Sequence, residues 1–163
     1  MMFTMKTGPT RPELAAWRAF LEAHHGLMTV LGEELDEAGL PIAFYDVLVQ
    51  LTEAEPTGLR MVDLARRVLL SKSGLTRLVD RMAAQGLVRR EPSPEDGRGY
   101  YVVATRLGRS ALRRASPRHL RGIAKHFTSL LTDEELKVVG DVMARVAESS
   151  RMESSDPSST SVG

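Results

Sequence analysis

The stretch from Met61 to Arg98 constrains the fold more than any other. It reads as a short helix over 61–68, a tight turn, a second helix ending near Gly86, and a strand-like run, Leu87-Val88-Arg89-Arg90. A Pro/Gly-rich turn follows, and then a matching run, Tyr100-Tyr101-Val102-Val103. In the second helix Leu75, Leu78, Val79 and Met82 recur at three- and four-residue steps, so they share one face that must be covered. The opposite face carries Lys72, Ser73, Thr76, Arg77 and Asp80. Ser71 stands where an N-cap hydroxyl is wanted, and Gly86 stands where a left-handed residue ends a helix at least cost. Two helices about a tight turn, the second cationic on its free face, are the minimal device for laying a helix in the major groove of duplex DNA; the strand pair makes a wing beside it.

Charge is distributed to match. The whole chain holds 22 Lys and Arg against 21 Asp and Glu, a near-balance that names no partner. Between Arg60 and Arg114, however, 13 basic residues face 5 acidic ones, a local excess of +8, and the rest of the chain carries −7. Such an excess centred on the helix pair is the footprint expected of phosphate contacts.

The remaining segments frame this lobe. At 163 residues and 42% hydrophobic content the chain suits one globular domain, or one domain with an oligomerisation arm. No window approaches the roughly 20 apolar residues of a membrane span, and the first six residues lack the pattern of a signal peptide, so a cytoplasmic protein is expected. The absence of cysteine excludes disulfides and thiol-based sensing. Residues 1–11 are expected to be flexible, with Gly8, Pro9 and Pro12 delaying any helix. From 13 to 38, Leu14, Trp17, Leu21, Met28, Leu31 and Leu35 form one apolar stripe. Gly39 ends that helix and Pro41 opens another over 42–53, with Phe44, Val47, Leu48 and Leu51 on its buried face. Leu59 and Arg60 suit a very short third strand. Thr105 can cap a helix from Arg106 that buries Leu107, Ala111 and Leu112. Pro117 predicts a kink or restart, with helix continuing through His119, Ile123 and Phe127 to Leu131. Thr132 and Glu135 have the form of a capping box that opens a last helix with Leu136, Val139, Val142, Met143 and Val146. The Ser-rich run 149–163 has too little apolar area to offset its ordering and reads as a disordered tail.

This order of elements resembles the MarR family of winged helix-turn-helix regulators. The resemblance spans 14–146 and rests on Tyr45-Asp46-Val47-Leu48, Leu64-Ala65, the run from Ser71 to Met82, Gly86-Leu87-Val88-Arg89-Arg90, and Asp96-Gly97-Arg98. The sequence departs from the family at Gly97, a place often basic in relatives, and at Ala104, which stands for the usual leucine before Thr105 and Gly108. The implied fold is mainly α with a small β-wing: a domain over 12–148 whose DNA-binding lobe covers about 55–106, with dimerisation helices at about 13–38 and 106–148. The resemblance also implies an intertwined homodimer. It implies, as for many relatives, DNA release on binding a small aromatic or phenolic ligand.

Each expected contact has its own chemistry. Ser71, Ser73 and Thr76 hydroxyls near the helix N-terminus can bond phosphate or a base edge, helped by the helix dipole. Lys72 and Arg77 can reach guanine or backbone, and only arginine offers a bidentate fork. Arg98 at the wing tip suits the narrow minor groove. Asp96 is better placed to anchor the wing by an ion pair than to touch DNA. A ligand pocket between the first, second and fifth helices is expected to be lined by Trp17, His24, Tyr45 and His119. Core packing competes as the role of Trp17, a hydrogen bond at the domain junction as that of Tyr45, and an exposed dimer position as that of His24.

Catalysis has no support in the pattern. His24 and His25 are adjacent and so point to different sides of a helix, while His119 and His126 stand roughly 10 Å apart along theirs, too far to share a metal ion. No cofactor is expected, no glycine-rich phosphate loop follows a strand, and no serine lies in a nucleophile elbow. The rival reading is a winged helix that binds protein rather than DNA, against which the cationic free face of the 72–81 helix counts.

Overall fold

The computed structural model describes residues 8–68, 72–93 and 99–155; the side chains of Lys72, Ser73 and residues 151–155 lie outside that description, as do Ser71, Asp96 and Arg98. The order is α1 (Arg11–Glu37), α2 (Ile42–Glu53), β1 (Leu59–Arg60), α3 (Met61–Arg67), α4 (Lys72–Ala84), β2 (Val88–Pro92), β3 (Tyr100–Ala104), α5 (Arg106–His126), a 3-10 turn (Thr128–Leu130) and α6 (Asp133–Ser155). The chain divides into two compact units after Gly122. No described helix is long and apolar enough to cross a membrane.

The first unit holds the core. Phe44, Val47, Leu48 and Leu51 of α2 meet Leu64 of α3, Leu75, Leu78, Val79 and Met82 of α4, and Leu87, Val88 and Val102 of the wing. Burying each of these large side chains is worth about 1.5–3 kcal/mol, which is what holds so short a helix as α3 in place. The sheet is antiparallel in the order β1-β3-β2, with Leu59 opposite Val102 and Val88 opposite Ala104. The two-residue β1 therefore forms as expected, fastening the start of α3 to the wing.

Helix ends follow local chemistry. α4 stops in a Schellman arrangement: Gly86 has φ +70°, its N–H donates to Ala83 O, and Leu87 N–H donates to Met82 O. Thr105 then joins this end to α5, donating its hydroxyl to Gly86 O at 2.6 Å and accepting from Gly108 N–H at 3.0 Å. Gly108 lies against the Leu87 carbonyl, where a Cβ would have no room. The Thr132–Glu135 capping box is present, with Thr132 N–H donating to Glu135 Oε2 at 2.8 Å.

Four boundaries differ from expectation, the first being that α5 ends at His126 and gives way to the 3-10 turn Thr128–Leu130 instead of continuing as helix to Leu131. α1 begins at Arg11 rather than Glu13, because Thr10 and Glu13 form a capping box and Pro12 falls in the first turn, where its missing N–H costs nothing. α5 runs from Arg106 to His126 without interruption at Pro117. Both Pro117 and Arg113, whose carbonyl loses its donor, lie on the exposed side of the helix, where water can replace the missing bond. α6 extends to Ser155, past the expected start of the tail at Ser149. No glycine or proline interrupts 149–155, so helix can propagate there one hydrogen bond per residue.

Candidate nucleic-acid interface

α4 is set by its buried face. Leu75, Val79 and Met82 have no exposed surface and Leu78 only 3%, which turns Thr76 and Arg77 outward. Lys72 and Ser73 belong to the first turn of the same helix. Arg77 makes no ion pair among the described residues, so its guanidinium is available for a base or a phosphate. Of the expected DNA contacts, α4 presents Thr76 and Arg77 on its exposed side; the side chains of Lys72 and Ser73, and Ser71, Asp96 and Arg98 altogether, lie outside the description.

Several cations of the lobe are committed to the protein itself. Arg90 of β2 donates to Asp80 of α4, and that hydrogen bond raises the guanidinium further above its ordinary value. Asp80, expected on the free face of α4, therefore serves as an internal tie. Arg109 donates to Glu55 Oε1 at 2.8 Å and to Ala104 O at 2.7 Å, linking α5 to the turn after α2. Arg60 donates to Ser93 Oγ at 3.0 Å and lies over the Tyr101 ring, 5.4 Å from its centroid. None of the ties between side chains was legible in the local periodicity, since Asp80–Arg90, Arg60–Ser93 and Glu55–Arg109 stand 10–54 residues apart.

The four residues expected to line a ligand pocket divide into two pairs. Tyr45 and His119 meet, with ring centroids 4.5 Å apart, and the Tyr45 hydroxyl donates to Ser116 Oγ at 3.3 Å. His119 Nδ1 is buried without a hydrogen-bond partner. Burial lowers the His119 pKa below the ordinary histidine value, and the opposing influence of Glu34 on α1 is smaller. Trp17 and His24 do not join them within one chain. They flank Phe20 on an open face of α1, and Trp17 lies 17 residues from Glu34, roughly 26 Å along the helix. Trp17 is 57% exposed, which also excludes core packing within the chain. Of the four residues expected to line one pocket, the contacts within one chain join Tyr45 to His119 and set Trp17 and His24 about Phe20. Among the described residues no cluster of three or more His, Cys, Asp or Glu could hold a metal ion.

Comparison with known proteins places this geometry. A sequence model of the MarR family matches residues 38–99, which run from the turn before α2 to the residue before β3. The crystal structure of AbsC, a MarR family transcriptional regulator from Streptomyces coelicolor, superposes with a TM-score of 0.83 at 36% identity, over 90% of this chain and 99% of that one. The chain belongs to the MarR family. A second MarR family regulator from Streptomyces coelicolor, solved in complex with DNA, is 35% identical with the same TM-score of 0.83, covering 90% of this chain and 92% of its own. An HTH-type transcriptional regulator of Bacillus cereus is 30% identical over 114 residues, which are 70% of this chain and 74% of the relative. As a MarR family member the chain is a DNA-binding transcriptional regulator with a winged helix-turn-helix.

Proposed function

We propose that this MarR protein acts as a homodimeric repressor that binds a palindromic operator sequence-specifically and leaves it when a small ligand binds. The observation that carries the reading is the pairing of two helices with opposite needs. α4 buries its apolar face and offers Thr76 and Arg77 to solvent, while α1 leaves Leu14, Trp17, Phe20, Leu21 and Met28 uncovered. A second copy covering α1 would supply a second α4. Both copies can occupy the major groove on one side of DNA only if half-site centres lie about one helical turn apart, some 10 base pairs. Within α4, Lys72, Ser73, Thr76 and Arg77, with Ser71 before them, read the major groove; Arg98 enters the minor groove and Asp96 steadies the wing. Occupying a promoter in this way blocks transcription without any further surface, so repression is the regulatory sign proposed.

The Tyr45–His119 junction is the place proposed for the ligand. It joins α2 of the DNA-binding lobe to α5 and offers one aromatic face and one unsatisfied ring nitrogen, features that fit a small aromatic or phenolic compound. Trp17 and His24 would enter this site only from the second chain. Such a ligand releases DNA only if it binds the DNA-incompetent arrangement more tightly. Selection of bound duplexes from a random pool, then titration of the best one with and without five base pairs inserted between half-sites, tests the operator reading. Undiminished affinity for the inserted duplex contradicts it. A phenolic compound that binds free protein and the DNA complex equally well contradicts the release step.

A further inference from the structure

Tyr100 and Tyr101 are adjacent on β3, so their side chains lie on opposite faces of the wing, and each carries one arginine. On one face Arg90, whose register partner is Val102, has its Cζ 4.9 Å from the Tyr100 centroid and donates to Asp80 of α4. On the other face Arg60, directly opposite Tyr101 in the β1–β3 ladder, has its Cζ 5.4 Å from that ring and its Nε 3.4 Å from the Tyr101 hydroxyl. Its Nη2 donates to Ser93 Oγ at 3.0 Å. Ser93 is the one buried polar residue among the described residues, 4% exposed, and its N–H donates to Gly99 O at 2.9 Å. A buried hydroxyl is costly unless bonded, and Arg60 is one of the groups that bond this one. Arg60 also immediately precedes α3, the first helix of the helix-turn-helix.

We propose that Arg60 and Arg90 are positioning residues for DNA reading: they clamp the wing from its two faces, one to the start of α3 and the other to α4, so that wing and recognition helix meet their grooves in fixed register. The proposal rests on the DNA reading above. Neither arginine needs to touch DNA, because each acts through a protein partner: Ser93 and Tyr101 for Arg60, Asp80 for Arg90. A stacked guanidinium that also donates a charge-assisted bond holds direction as well as distance, which a lysine ammonium does not.

The test separates clamping from direct contact. Ser93→Ala leaves both arginines in place and opens one clamp; Asp80→Arg with Arg90→Asp reverses the second while preserving its ion pair. Groove-resolved footprinting and anisotropy titration on the selected operator are the readouts, with circular dichroism confirming folding and Arg60→Lys as a milder variant should Ser93→Ala unfold. The expected result is about a five- to tenfold weaker complex for Ser93→Ala, with minor-groove protection lost at the flanks and major-groove protection kept. Arg90→Asp alone is expected to weaken binding and the double swap to recover most of it. Full protection in both grooves at unchanged affinity for Ser93→Ala and Arg60→Lys, or a double swap no better than Arg90→Asp, would overturn the proposal. A parent protein that protects no duplex at all would remove the DNA reading itself, and this role with it.

Discussion

α1 and α4 carry the same sequence signal and meet opposite fates. Both are amphipathic, with large apolar residues at three- and four-residue steps. In α4 that face is closed off by α2, α3 and the wing, whereas in α1 from Leu14 to Met28 it stands open, 38–57% exposed at Leu14, Trp17, Phe20, Leu21 and Met28. Only Leu31 and Leu35, toward the end of α1, are buried. Periodicity states that a face must be covered; it does not state by what. An exposed apolar face of this kind marks an interaction surface.

The largest effect is expected where α4 meets the core. Leu75→Ala removes a fully buried side chain and should cost about 2–5 kcal/mol, lowering the melting temperature equally at every protein concentration. Leu21→Asp on α1 should behave differently. It should leave helical content intact but lower the melting temperature most at low concentration and weaken operator binding by at least roughly tenfold, since association and stability are linked by mass action. Thermal melts over a hundredfold range of concentration would separate the two helices, and identical concentration dependence for both variants would erase the contrast.

A smaller and sharper effect belongs to the outer face of α4. Arg77→Ala should relax sequence preference by about 1–3 kcal/mol between operator and scrambled duplex, whereas Arg98→Ala should weaken all duplexes alike and flatten the salt dependence. Equal losses for Arg77→Ala on both duplexes would reassign that residue to the phosphate backbone.

The smallest effect concerns the Tyr45–His119 contact. An unfolded histidine titrates near 6.5, and burial holds folded His119 below that, so the folded state prefers the neutral ring. Its contribution to stability is present above pH 6.5 and lost as pH falls through the lower folded value. Urea melts of His119→Gln should show a shallower decline between pH 7 and pH 5 than the parent protein; parallel slopes would mean that another group sets it.

What was legible in the sequence was local. The helix pair, the wing strands and the caps at Thr105 and Thr132 follow from residues within a few positions of one another, and so did the face presenting Thr76 and Arg77. The ties at Asp80–Arg90, Arg60–Ser93 and Glu55–Arg109 were not legible, because a charged residue on a surface pattern does not reveal a partner 10–54 positions away. Pro117 misled for a related reason: its cost depends on whether the freed carbonyl faces water, which only packing decides. Trp17 and His24 were placed with Tyr45 and His119 by residue type, and within one chain their ring contacts are with Phe20.

The central claim is that the open face of α1 is covered by a second copy of the chain and that two α4 helices read one operator. Sedimentation equilibrium at micromolar protein, alone and with the selected duplex, tests it most directly. The account predicts twice the 18.0 kDa chain mass without DNA and two chains per duplex with it. A folded species of single-chain mass that binds the duplex one to one would contradict it.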